Sequence, residues 1–249
     1  MLVTVPLLEV YQEPEQKNVV DEVLYGHSVE CLSFGSQICE VQTEGLTRGF
    51  VKTRALWDVV PPPDLWRANY RADVLASPDI KSEKLFVLPR FSRVQVLALG
   101  EEFLTVRLFS GKIGYVHRAH LSLSVTELPT ADAVCDTALS LLGTPYRWGG
   151  TSDLALDCSG LVFLAFSFWG VNLPRSTAQM HVLPEVSAQT ARRGDLVLFD
   201  SHVGLLLTKT TFLHASAFTG FVAVSSLDPT HPLYDTRHAP AGYTIRRVL

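Results

Sequence analysis

Apolar and polar residues alternate in short runs over roughly the first half of the chain. Val19-Val20, Val23-Leu24-Tyr25, Val29 to Leu32, Ile38 to Val41 and Gly49 to Val51 read as strands, separated by turns at Gly26, Gly35 and Gly45. Pro61-Pro62-Pro63 follows as a stiff, extended connector. The two-residue period then returns in Lys84 to Leu88, Arg93 to Leu99, Phe103 to Phe109 and Gly114 to Val116. Beyond residue 130 the period changes. Thr130 to Leu142 has helical spacing, with Thr130 as cap and Gly143 as stop. Asp157 to Trp169 is a second helix, apolar nearly all round, and such a helix is buried on all sides. Strands over Asp195–Phe199, His202–Leu207, Thr211–Ser216, Phe221–Ser225 and Gly242–Val248 complete the pattern. Helices followed by an antiparallel sheet make an α+β domain. The expected organisation is therefore two small all-β units, 1–60 and 66–125, and an α+β domain over 130–249.

Composition narrows the function classes. The chain has 249 residues, 47% hydrophobic and 18% charged, and a formal net charge of −4. It is long enough for several cores and lacks the basic excess of a nucleic-acid binder. No apolar run approaches a membrane span. The first residues, MLVTVPLLEVYQEPEQ, lack a positive start and a cleavage site, so a cytoplasmic protein is expected, with non-classical export left open. Cys31, Cys39 and Cys135 read as buried, reduced thiols.

Cys158 is different. Asp157-Cys158-Ser159-Gly160 opens the buried helix, and a helix N-terminus carries partial positive charge and free N–H groups. That placement favours a thiolate and offers the Cys158 N–H to an oxyanion. His202 and His214 sit on neighbouring strands at even positions, so a regular hairpin puts both rings on one face. The pattern suits Cys158 as nucleophile, His202 as base and His214 as the group that orients it. The remaining histidines receive no role. Asp157, Ser159, Ser176 and Thr177 suit either helix capping or contact with a peptide substrate, and Arg175 either a substrate carboxylate or a surface ion pair.

Leu-Gly-Thr-Pro-Tyr-Arg-Trp-Gly-Gly (142–150), Asp-Cys-Ser-Gly (157–160), Leu-Pro-Arg-Ser-Thr (173–177), Arg-Gly-Asp-Leu-Val-Leu-Phe (193–199), His-Val-Gly (202–204) and Leu-His-Ala-Ser (213–216), in this order, resemble the NlpC-type family of cell-wall cysteine peptidases, in the papain-like clan. Val-Leu-Tyr-Gly and Arg-Gly-Phe-Val-Lys-Thr-Arg-Ala-Leu upstream, and Gly-Lys-Ile-Gly-Tyr-Val-His-Arg-Ala-His-Leu near 117, resemble bacterial SH3-like domains. The resemblance implies hydrolysis of the γ-D-glutamyl–diamino acid bond of peptidoglycan stem peptides, commonly before meso-diaminopimelate, in cell-wall recycling or remodelling. It implies catalysis by Cys158, His202 and His214 and a hydroxyl near the nucleophile from Tyr146. It also implies a pocket wall at Trp148 and substrate contacts from Asp157, Ser159, Ser176 and Thr177. It implies no cofactor and no metal. Ser176 departs from related recycling enzymes, which often carry an acid at that position to hold the substrate's free amine. The alternatives are a peptidoglycan-binding module with an inactive domain, a papain-like amidase or acyltransferase, and a metal site at Cys158, His202 and His214.

Overall fold

The computed structural model describes residues 1–123 and 129–249. The expected end of the second β unit, residue 125, lies outside the described residues. The chain divides into two compact units, Met1–Thr126 and Glu127–Leu249. No helix among the described residues is long and apolar enough to cross a membrane.

Among its described residues the first unit holds two larger antiparallel sheets and a short antiparallel pair, Leu2–Val3 with Leu56–Trp57. Strands β1 (Leu7–Tyr11), β2 (Val19–Leu24), β3 (Val29–Phe34), β4 (Ile38–Thr43) and β5 (Arg48–Lys52) pair in the order β2-β1-β5-β4-β3. Strands β6 (Leu65–Ala68), β7 (Ala72–Leu75), β8 (Lys84–Leu88), β9 (Arg93–Leu99), β10 (Phe103–Arg107), β11 (Ile113–His117) and β12 (Leu121–Leu123) pair as β8-β7-β11-β10-β9-β6-β12. Alternation drives both sheets: in β4 the burial pattern alternates strictly, with Cys39, Val41 and Thr43 turned inward.

The two sheets share side chains. Leu2 and Tyr25, from the start of the chain, pack into the second sheet's core. The Tyr25 hydroxyl accepts a hydrogen bond from the Phe109 N–H at 2.8 Å. Arg93 grips both carboxylate oxygens of Glu44, at 2.7 and 3.0 Å. A cut at residue 60 would therefore take Leu2 and Tyr25 out of the second sheet's core. All four cysteines are free; Cys31 is half-buried rather than buried, and its sulfur lies 2.8 Å from that of Cys39.

The second unit is α+β. Helix α1 (Ala131–Leu139) and helix α2 (Cys158–Ser167) pack together, and α2 also packs on the sheet. Short helix α3 (Thr177–Met180) follows. Strands β13 (Glu185–Val186), β14 (Leu196–Leu198), β15 (Val203–Leu206), β16 (Thr211–Ser216), β17 (Phe221–Ser226) and β18 (Thr244–Arg246) form an antiparallel sheet in the order β13-β18-β14-β15-β16-β17. Helix α2 is covered because it is apolar all round: Leu161, Val162, Leu164, Ala165 and Phe166 are fully buried. Each large side chain of this kind contributes about 1.5–3 kcal/mol when removed from water. That burial fixes the helix, and the helix fixes Cys158 at its first turn.

Two glycines let backbone approach where a side chain would collide. A Cβ at Gly160 would stand 2.1 Å from the Gly150 carbonyl oxygen, so the start of α2 can press against the 149–150 loop only without one. A Cβ at Gly204 would stand 2.4 Å from the Phe212 ring, which closes β15 onto β16.

Candidate active site

Asp157 is the N-cap of α2. Its Oδ1 accepts the Gly160 N–H at 2.7 Å and its Oδ2 accepts the Gly149 N–H at 2.9 Å. The same carboxylate takes a two-pronged contact from Arg175, Nη1 to Oδ1 and Nη2 to Oδ2, both at 2.8 Å. Arg175 also donates to Ser159 Oγ at 2.7 Å, Thr151 Oγ1 at 2.7 Å and the Gly150 carbonyl at 3.1 Å. Arg175 is 3% exposed and Asp157 6% exposed. The expectation of a surface ion pair at Arg175 is corrected: the pair is buried and ties the start of α2 to Thr151, in the short antiparallel pair Thr151–Ser152 with Ala155–Leu156. A charge buried this deeply needs a full set of partners, and Arg175 has them. Asp157 and Ser159 thus have their side-chain oxygens turned into the fold.

Cys158 opens onto a cleft of about 640 Å³ whose walls include Tyr146, Trp148, His202, Phe218, Arg237 and His238. Trp148 is 72% exposed. Tyr146 is half-buried, and burial with the neighbouring Cys158 and Asp157 pushes its hydroxyl up to about 12, so it stays a proton donor. The Thr177 hydroxyl lies 3.9 Å from the Cys158 sulfur. Ser176 caps α3 and is exposed; its Oγ accepts the Gln179 N–H at 3.4 Å.

The even spacing of the histidines puts them together. Leu205 pairs with Leu213, so even-numbered residues of β15 and β16 share a face. His202 Nε2 lies 2.7 Å from His214 Nδ1, and His214 Nε2 lies 3.0 Å from Ser225 Oγ. One tautomer set satisfies this row. His202 donates from Nε2 to His214 Nδ1, and His214 donates from Nε2 to Ser225. His202 Nδ1 then remains as an acceptor. The Val203 N–H, one residue on, points at the Cys158 sulfur.

Sequence reading missed three parts of the site. Ser225 ends the row. His238, given no role, stacks on His202 with ring centroids 4.1 Å apart and planes 10° apart. Asp235 holds His238 Nδ1 at 2.8 Å. Only the hairpin register offered a signal for any of them: His214 pairs with Ala223, and Ser225, two residues beyond Ala223, shares its face.

Burial sets the protonation. Burial pushes the Cys158 thiol up, and the Asp157 charge adds to it. The Val203 N–H, the Thr177 hydroxyl and Arg175 pull the other way without prevailing. The expected depression of this thiol by the helix N-terminus is therefore corrected. Burial, then the neighbouring His214 and His238, hold His202 down to about 3. Burial, with His238 adding to it and Asp235 opposing, holds His214 down to about 4. The resting pair is neutral thiol and neutral imidazole.

This has a consequence for stability. Below the ordinary histidine value of 6.5 the unfolded chain takes up protons that the folded site refuses. Stability from this source is full above 6.5 and falls as pH drops toward 4, by up to about 1.4 kcal/mol per pH unit and histidine. Denaturant melts of the wild type from pH 7 to 4.5 should show this slope, and a His202→Gln/His214→Gln variant should show a flatter one. Identical slopes would refute the assignment.

Ligand nitrogens of His202, His214 and His238 lie within 4.8 Å of one another. The near-parallel stack of His202 and His238 aims their nitrogens side by side rather than at one point, and His202 and His214 already bond each other. The arrangement serves a proton row better than a metal.

Residues 143–239 match the NlpC/P60 family. "Dipeptidyl-peptidase 6" of Lysinibacillus sphaericus is 32% identical over 94% of this chain and 93% of its own length. The chain belongs to the NlpC/P60 family. "Murein DD-endopeptidase MepS/Murein LD-carboxypeptidase" of Escherichia coli K12 is 36% identical over 50% of this chain and 66% of its own length. The crystal structure of an NlpC/P60 family protein from Bacillus cereus ATCC 10987 matches with a TM-score of 0.84, covering 99% of this chain and 98% of that one at 17% identity. That likeness establishes a shared fold. Cys158, all three clustered histidines and Tyr146 lie within the segment matched to the NlpC/P60 family.

Proposed function

We propose that this NlpC/P60 protein is a cysteine endopeptidase that hydrolyses the γ-D-glutamyl–diamino acid bond of peptidoglycan stem peptides. The observation that carries the reading is the row Ser225–His214–His202 ending in the cleft that holds Cys158, at the start of a helix. The relative matched along nearly the whole chain is named for releasing dipeptides, and L-Ala-γ-D-Glu is a dipeptide. We read the catalytic domain as papain-like, the sheets of the first unit as SH3-like, and the setting as cytoplasmic recycling of free muropeptides.

In this mechanism His202 Nδ1 takes the thiol proton as the Cys158 sulfur bonds to the γ-carbonyl carbon of D-Glu. The Cys158 N–H, which has no partner within the helix, and the Tyr146 hydroxyl stabilise the oxyanion. The His202 imidazolium then protonates the leaving amine as the C–N bond breaks. Water, deprotonated by His202, releases the acyl group and restores the thiol. Transfer from a raised thiol to a depressed imidazole is uphill in the empty cleft. Formation of the C–S bond and stabilisation of the oxyanion draw it forward.

Mass spectrometry of products from L-Ala-γ-D-Glu-meso-diaminopimelate and, separately, from intact sacculi tests this. The expected result is free L-Ala-D-Glu from the tripeptide and no release from sacculi. Cleavage of sacculi would refute a role confined to free peptides. An intact tripeptide would refute the activity.

A further inference from the structure

We propose that Arg237 binds a carboxylate of the residue released on the histidine side of the scissile bond, so that the cleft selects an acidic leaving residue. The inference rests on the peptidase reading above and names one end of its substrate.

Arg237 stands on the cleft wall with Phe218, Ser201 and His238, and none of the residues lining the cleft is an aspartate or glutamate. Its guanidinium carbon lies 5.4 Å over the Phe218 ring. Among the described residues no carboxylate pairs with that guanidinium. The backbone beneath it is held: the Arg237 N–H donates to Asp235 Oδ1 at 2.9 Å, while Asp235 Oδ2 holds His238, which stacks on His202. One turn thus places both the wall of the base and a free cation.

Chemistry fixes the side. The leaving nitrogen must come within reach of the His202 imidazolium, so the released residue lies on the histidine side of Cys158. Arg237 follows from the same turn as His238. A planar guanidinium over an aromatic ring, with donors free, matches a carboxylate in a forked contact. Tyr146 and Trp148, which also line the cleft, bring no charge to it. A diamino acid released from a stem peptide has two sources of carboxylate: its α-carboxyl group and, where present, one at the end of its side chain.

The test is kcat/KM of wild type and Arg237→Met on three peptides. These are L-Ala-γ-D-Glu-meso-diaminopimelate, the same peptide with the α-carboxyl as its amide, and L-Ala-γ-D-Glu-L-Lys. On the first, Arg237→Met should lose about 10- to 100-fold, chiefly in KM, the size of one charged hydrogen-bonded contact. The loss should vanish on whichever peptide lacks the carboxylate that Arg237 holds. Its absence on the amide identifies the α-carboxylate, and its absence on the lysine peptide identifies the side chain. Equal losses on all three, or none on the first, overturn the proposal. Calorimetric binding of the first and third peptides to Cys158→Ala, with and without Arg237→Met, separates this from failure of the peptidase reading. Weaker binding on loss of Arg237, without any cleavage by wild type, would uphold the subsite and refute the reaction; no effect on binding of the acidic peptide would overturn the subsite.

Discussion

Replacing Cys158 by alanine is expected to lower kcat/KM on a γ-D-glutamyl peptide by about ten-thousand-fold or more, the scale seen when a nucleophile that acts as a unit with its base is removed. The melting temperature should barely move. The thiol's contacts with the fold are the Val203 N–H and the Thr177 hydroxyl, and the apolar body of α2 that anchors this turn is untouched. Cys158→Ser should be as inactive as the alanine variant. An alcohol is a far weaker acid than a thiol, and the imidazole that must take its proton is held down to about 3. Product analysis beside thermal melts checks both variants. A folded Cys158→Ala protein with unchanged turnover would remove Cys158 from the chemistry.

What the sequence reveals of this site follows from which forces are local. Asp157 reads as a cap and Cys158 as the first residue of a buried helix because capping and hydrophobic content are properties of consecutive residues. His202 and His214 read as neighbours because a hairpin preserves parity. His238 and Asp235 lie in the loop between β17 and β18, which has no period, and their value comes from a stack formed only when that loop folds back on the sheet. Arg175 misleads for a related reason. A charged residue between a proline and a serine looks like surface, and only the tertiary position of Asp157, Ser159 and Thr151 gives it partners enough to be buried. The thiol fails in sign: a helix N-terminus can be read from the chain, but the desolvation that outweighs it cannot. Strands such as β1 and β7 escape notice because their apolar runs are short, with Pro6 just before β1 and Asp73 within β7.

Removing Arg175 is expected to be the most damaging single change in the second unit. Arg175→Met leaves the Asp157 carboxylate buried with only backbone N–H groups and one hydroxyl, and breaking one half of a buried pair typically costs about 3–5 kcal/mol. Thermal and denaturant melts should record it, as a fall in melting temperature of more than about 10 °C for a unit of this size. Asp157→Asn alone should cost less than Arg175→Met, because the amide retains an oxygen for the cap at Gly160. The double variant Asp157→Asn/Arg175→Met should be more stable than Arg175→Met alone, since it removes the stranded charge. If Arg175→Met melts as wild type does, the pair does not hold the fold. The cycle also bears on chemistry. Gly149 and Gly150, which Asp157 and Arg175 hold, follow directly on Tyr146 and Trp148, so the ion pair is what fixes one cleft wall against the start of α2. Asp157→Asn should therefore lower kcat through misplacement of Tyr146 and Cys158, whereas loss of a direct substrate contact would show itself in KM.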